Sequence, residues 1–240
     1  MVGIVVGYIF FSSPDVRELK KKNPSTTAFI EYRKREAERR GETFRLRHRW
    51  ISLKKIPRLL QRTIIVSEDA SFWVHHGIDW HEVRQAIRDS WKAHKFVRGA
   101  STITQQTAKN LYLSPQKSLL RKLKEFFIAR AMETHLTKSR ILELYLNCIE
   151  FGDGIFGIRS AASYYFDKTP SRLTVSEMVR LAAIIPNPLQ LSPTEPSNAL
   201  KWRSNTILQR LRTYNFIDQS QYNQAKADLE NFFGYYTRAD

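Results

Sequence analysis

The sequence predicts a mainly α-helical protein. Apolar residues recur with helical spacing from residue 58 onward, and four capping pairs mark helix starts: Asp79 with Glu82, Thr102 with Gln105, Thr174 with Glu177, and Asp218 with Gln221. At 240 residues and 42% hydrophobic, the chain is long enough for one large domain or two lobes with a real core. No internal repeat, low-complexity tract or Gly/Ser linker interrupts it.

Taken in order, residues 2–11 (VGIVVGYIFF) form an uncharged apolar run. Ten helical residues reach about 15 Å, half of the roughly 30 Å hydrocarbon core of a bilayer. The run therefore reads as the outer end of a transmembrane anchor, residues 1–12; the alternative, a signal-peptide core, lacks a Lys or Arg ahead of it. Ser25 is expected to cap a charged helix over 26–40, stopped by Gly41, with a thin apolar face suited to a connector on a surface. Residues 43–53 alternate Phe44, Leu46, His48 and Trp50 with Arg45, Arg47 and Arg49, the period of an extended strand with one basic face. Prolines across 184–198 mark a long loop before a last helical pair, about 199–213 and 219–232. The implied organisation is an anchor (1–12), a juxtamembrane connector (13–49), a main domain (50–215) and a C-terminal helical extension (216–240).

Charge and composition narrow the chemistry. With 39 Lys and Arg against 23 Asp and Glu, the net charge of +16 calls for an anionic partner: nucleic acid, a phosphate-bearing substrate or an acidic membrane face. The single cysteine, Cys148, excludes an intramolecular disulfide or a cysteine metal cluster and reads as a buried small hydrophobe. A zinc-protease pattern starting at His81 fails because position 85 is Gln85.

Three polar constellations stand out. In SEDASFWVHHG (67–77), a helix would place Glu68, Phe72 and His75 on one face, and a carboxylate beside a large aromatic is desolvated into a better base. In GASTITQQTAKN (99–110), the run Ser101–Gln106 holds one apolar residue and is expected outside the core. A helix starting at Thr102 would present Thr102, Gln106 and Lys109 as a contact stripe and turn Thr104, Ala108 and Leu111 inward. In RKLKE (121–125), Arg121 and Lys122 share a face with Glu125 and favour its charged form, which suits holding cations or a metal against a phosphate leaving group. The competing reading of that last motif is a surface ion pair of little worth.

These motifs, followed by KSRILELYLN and FGDGIFGIRSAASYYF, resemble in order and spacing the peptidoglycan glycosyltransferases of glycosyltransferase family 51. The resemblance covers about residues 50–215 and is closest to the monofunctional members, since no transpeptidase motifs follow; no transpeptidase activity is expected. It implies a lysozyme-like helical head lobe with a smaller, membrane-associated jaw lobe and a cleft between them. It also implies lipid II as substrate and a β-1,4-linked glycan strand as product. Glu68 would be the base that deprotonates the acceptor 4-hydroxyl, with inversion and displacement of undecaprenyl pyrophosphate.

By the same resemblance Asp69, Phe72, His75, Ser101, Thr102, Gln106 and Lys109 bind substrate, Arg121 and Lys122 bind pyrophosphate, and Glu125 is the second essential carboxylate. Lys117 stands where the family usually has Arg, keeping the charge without bidentate phosphate binding. Glu143, Asn147 and Gly152 to Gly157 look structural. No organic cofactor is expected; a divalent cation, Mg or Mn, held by Glu125 is the one metal candidate. The implied location is the bacterial inner membrane, single-pass, with the catalytic domain on the periplasmic or outer face. The implied partners are lipid II, the growing strand, membrane lipid and cell-division or elongation proteins, with no nucleic acid. Two rivals are separable. A lysozyme or lytic transglycosylase needs no pyrophosphate site, and a basic nucleic-acid-binding protein, motivated by a pI of 10.1, would survive loss of both carboxylates.

Overall fold

The computed structural model describes residues 14–92, 100–116 and 118–234, so the expected anchor (1–12) and Lys117 lie outside the described residues. Ten α-helices run through those residues: α1 (Ala28–Arg39), α2 (Arg58–Glu68), α3 (Trp80–Lys92), α4 (Ile103–Tyr112), α5 (Leu119–His135), α6 (Lys138–Cys148), α7 (Ile158–Phe166), α8 (Val175–Ile184), α9 (Asn198–Thr213) and α10 (Gln219–Gly234). Three short strands, β1 (Arg47–His48), β2 (Glu150–Gly152) and β3 (Ile155–Phe156), form a sheet of order β1-β3-β2. The mainly helical class is what the described residues adopt.

All four expected helix starts are found. Thr102 and Thr174 form reciprocal capping boxes with Gln105 and Glu177, and Asp218 and Gln221 exchange backbone-to-side-chain bonds of 2.8 and 3.0 Å. The Asp79 carboxylate accepts the Glu82 N–H at 2.9 Å. Each pairing satisfies amides that a helix start leaves without intrahelical partners.

The residues divide into two compact units that interleave along the chain. The first takes its described residues from 14–43 and 71–148. In it α4 packs against α1, α5 and α6, and a 3-10 turn at Val16–Lys20 lies on α5. Ile103, Ala108, Met132, Ile141, Leu144 and Tyr145 fill its core. The second takes Phe44–Ala70 and 149–234. There α8 and α9 pack on each other and on α2, α10 closes against both, and α7 covers the small sheet. Its core includes Leu60, Ile64, Phe151, Phe156, Val179 and Leu181.

Four expectations are corrected. The first helix begins after Thr27, whose hydroxyl accepts from the Ile30 N–H, two residues later than the Ser25 reading. It is no surface connector, because Phe29, Ile30 and Ala37 are buried as it packs on α4. The strand expected over 43–53 shrinks to Arg47–His48, since β3, its partner among the described residues, is two residues long. Its alternation survives as exposed Arg45, Arg47 and Arg49 beside half-buried Phe44, His48 and Trp50, although Leu46 is exposed. The fourth correction, the end of α2 at Glu68, shapes the site.

Candidate active site

Glu68 is the last residue of α2, and Asp69 leaves the helix with φ −163° and ψ 75°. Beyond it, Ser71 donates to the Asp79 carboxylate while the Val74 and His75 amides donate to the Ser71 carbonyl, at 2.8 and 3.3 Å. Serine and aspartate bonding of this kind competes with helix continuation. The expected helical face of Glu68, Phe72 and His75 therefore does not form; Phe72 and His75 belong to a turn in the first unit, Glu68 and Asp69 to the second.

In the second unit the Glu68 side chain is 8% exposed, and the Arg203 Nη2 lies 3.8 Å from its Oε1. The Ser67 hydroxyl donates to the same oxygen at 3.3 Å. Arg203 is itself held by an Nε–H bond to the Ala183 carbonyl at 2.7 Å, and Arg210 donates to the Val66 carbonyl at 3.1 Å. Both carbonyls lie in last helical turns, of α8 and α2, where acceptors lack intrahelical donors. Burial pulls the Arg203 guanidinium below its ordinary value; Glu68 opposes that and Arg210 adds to it. Asp69, next in the chain, is also buried. The residue that sequence reasoning missed is Arg203. Its signal was an arginine at the edge of an apolar helix face, between Leu200 and Ile207.

The first unit holds the second carboxylate. Ser118 caps α5 by accepting the Arg121 N–H at 3.0 Å, which sets the helix that displays Arg121, Lys122 and Glu125. Arg121 Nη1 donates to Glu125 Oε2 at 2.6 Å, and Lys122 Nζ donates to Oε1. The Lys122 ammonium also reaches the Ser101 hydroxyl at 2.9 Å, joining two motifs that lie 21 residues apart. The Glu125 side chain is 3% exposed and that of Lys122 45%. The surface ion-pair reading is thus replaced by a buried carboxylate compensated on both oxygens.

The polar block 99–110 is not the exposed wall expected of it. Thr102, Thr104, Gln105, Thr107 and Asn110 are buried with Ile103, while Ser101, Gln106 and Lys109 are half-buried. Burial is tolerable because these groups bond internally. Thr102 donates to the Gly77 carbonyl at 2.6 Å, Thr104 to Glu133 at 2.5 Å, and Thr107 to the Ile103 carbonyl at 2.7 Å. Of the expected stripe, Gln106 and Lys109 keep some exposure; Gln106 accepts from the Tyr145 hydroxyl at 3.2 Å, and the Lys109 ammonium lies 6.0 Å from the Phe29 ring centre.

The same internal bonding ties down the turn 71–79. Gly77 adopts φ +90°, and a Cβ there would meet the Glu133 Cγ at 3.0 Å, so only glycine fits. Its amide donates to His75 Nδ1 at 3.1 Å. Phe72 is fully buried, edge-on to Trp73 and His75, with the Lys138 ammonium 4.5 Å from its ring centre. Lys138 pairs with Glu133 at 2.7 Å. The Asp79 carboxyl is buried, which opposes ionisation, but the Ser71 hydroxyl and the Glu82 amide outweigh burial and hold it below its ordinary value.

In the later motifs, Asn147 donates to the Glu143 carbonyl at 2.8 Å, and Arg140 pairs with Glu143 at 2.5 Å. Burial pushes the Cys148 thiol up to about 12. As a metal ligand set the site fits poorly, since both Glu125 oxygens face cations and no group of three His, Cys, Asp or Glu clusters among the described residues.

With this geometry in view, the chain was compared with known proteins. The Transglycosylase family matches residues 36–212. A biosynthetic peptidoglycan transglycosylase of Methylobacillus flagellatus is 37% identical over 87% of this chain and 91% of its own. One of Nitrosomonas eutropha is 41% identical over 80% of this chain and 78% of its own. The crystal structure of Penicillin-Binding Protein 1A from Haemophilus influenzae aligns with a TM-score of 0.44 and 21% identity, over 75% of this chain and 17% of that one. On the family match and the identities to the two relatives, the chain belongs to the transglycosylase family, glycosyltransferase family 51.

Proposed function

We propose that the chain polymerises lipid II into β-1,4-linked glycan strands, with inversion and release of undecaprenyl pyrophosphate. Peptidoglycan glycosyl transfer is its class of activity, and the cell envelope its place of action. The observation that supports the finer reading most is the Glu125 cluster. A nearly buried carboxylate holds two cations, and one of them, Lys122, is 45% exposed and shared with the Ser101 hydroxyl. Cations fixed in this way can meet charge that develops on a departing pyrophosphate without reorganising at the moment of reaction.

In this reading Glu68 takes the proton of the acceptor 4-hydroxyl, the oxygen attacks the anomeric carbon, and the bond to pyrophosphate breaks from the opposite face. Glu125 positions Arg121 and Lys122. Ser101, Gln106, Lys109 and Lys117 contact the donor directly, Thr102 caps the helix that presents Gln106 and Lys109, Phe72 and His75 hold the turn that Thr102 bonds at Gly77, and Asp69 contacts substrate beside Glu68. A divalent cation, Mg or Mn, would arrive with the pyrophosphate, because both Glu125 oxygens face cations and the residues around it do not fit a resident ion. Protein partners in division or elongation are a further proposal, testable by co-purification.

Membrane association is proposed from two features. The apolar run 2–11 serves as anchor, although among the described residues no helix is long and apolar enough to cross a membrane. The first unit also exposes Trp73, Val74, Trp80, Ile87, Trp91, Leu119 and Leu120. On α3, Trp80, Arg84, Ile87 and Trp91 share one face, an apolar stripe with a cation able to extend toward headgroups.

Incubation with labelled lipid II, with and without moenomycin, tests the activity. Wild type should form strands that moenomycin suppresses, and Glu68→Gln should form none. A wild type that only digests finished glycan, or an active Glu68→Gln, refutes the reading.

A further inference from the structure

The sequence led us to expect an aromatic neighbour for Glu68, one that would raise its basicity. The second unit gives it a cation instead. Arg203 reaches the carboxylate from α9 with its Nη2 3.8 Å from Oε1, and its Nε is already committed to the Ala183 carbonyl. The guanidinium is therefore tied to the last turn of α8 by this bond. Arg210, seven residues on, braces the last turn of α2 through the Val66 carbonyl, so one helix face pins both the carboxylate's helix and its counter-ion.

We propose that Arg203 is a positioning residue for the reaction: it keeps Glu68 ionised and oriented to accept a proton in spite of near-complete burial. This rests on the reading of Glu68 as the general base. A carboxylate 8% exposed loses most of its hydration, and without compensation it would hold its proton to higher pH. A protonated base accepts nothing, so the cation sets the lower pH limit of catalysis. The groups facing Glu68 are consistent with this. On its own helix the Ser67 hydroxyl donates to it. From α8 come the carbonyls of Ala182, 3.5 Å from the Ser67 hydroxyl oxygen, and Ala183, which accepts from Arg203. From α9 come Arg203 and, behind it, Arg210.

The experiment is the pH–rate profile of strand synthesis from lipid II for wild type, Arg203→Met, Arg203→Gln and Arg203→Lys. Arg180→Met is the control, because Arg180 is a buried arginine of the same unit packed between Phe166 and Phe232. In Arg203→Met the acid limb moves to higher pH, so turnover falls at least ~10-fold at pH 6 and by less than ~3-fold at pH 8.5. Arg203→Lys keeps the limb near that of wild type. Arg180→Met lowers thermal stability and leaves the limb in place. If Arg203→Met does not fold, Arg203→Gln, which retains a donor for the Ala183 carbonyl, decides by the same shift. An unmoved acid limb, or a loss equal at every pH, overturns the proposal. Failure of the wild type to make strands would instead overturn the reading of the function.

Discussion

Replacing Arg121 by methionine tests whether Glu125 is a buried anion that depends on its cations. The side chain is nearly isosteric along its stem, so the change removes the 2.6 Å bond to Glu125 Oε2 and little packing. Removing one partner of a buried ion pair costs about 3–5 kcal/mol, because the remaining charge is left in a poor medium. Lys122 still contacts the other oxygen, which places the expected loss near the lower bound, about 3 kcal/mol. For a chain of this size that corresponds to a fall in Tm of about 6–12 °C, measurable by calorimetry at pH 7. Lys122→Ala behaves differently. Its side chain is 45% exposed, so water screens its pair and takes over part of its role, and the loss of stability is smaller than for Arg121→Met while turnover on lipid II collapses. The double variant Arg121→Met/Glu125→Gln recovers most of the lost stability and none of the turnover. A Tm within 2 °C of wild type for Arg121→Met, or equal destabilisation by Lys122→Ala, would refute the account of Glu125.

Three other predictions concern the framework and the surface. Asp79 has a folded-state pKa below the ordinary 3.8, so its contribution is fully present above that value and is lost as pH falls through the folded one; Asp79→Asn should lower Tm at pH 7, and the gap to wild type should close below about pH 4 in thermal melts. Gly154 sits at φ +67° with a virtual Cβ 2.3 Å from the Arg45 carbonyl oxygen, so Gly154→Ala adds backbone strain to overpacking and should cost about 2–5 kcal/mol by denaturant titration. Changing Trp80, Ile87 and Trp91 together to serine should weaken co-sedimentation with anionic vesicles at least ~10-fold without lowering Tm, because all three are exposed; unchanged sedimentation would remove α3 from the membrane surface.

Local signals were legible wherever the determining interaction is short-range. The capping pairs at Asp79, Thr102, Thr174 and Asp218 start helices because donor and acceptor lie three residues apart. Arg121 and Lys122 meet Glu125 for the same reason, as neighbours on one turn. The last two helices and the proline loop before them were also readable from periodicity and breakers alone.

The failures share a cause. Thr102 looked like surface because its polarity is visible in the sequence and its partner, the Gly77 carbonyl, is not, whereas Thr104, read as turning inward, is buried on Glu133. A hydroxyl satisfied by a distant acceptor is as buryable as a methyl group. The helix through Glu68 was read too far because Ser71 finds Asp79, eight residues on, instead of the helix backbone.

Periodicity and capping pairs were enough for the mainly helical class, and the order of the motifs for the family; the same motifs nominated both candidate carboxylates. Tertiary structure alone decided how deeply each carboxylate lies and what compensates it: Arg203, 135 residues from Glu68, and Ser101, drawn to Lys122 from another motif. Burial and long-range pairing belong to folded units assembled from separated segments, so no local pattern encodes them.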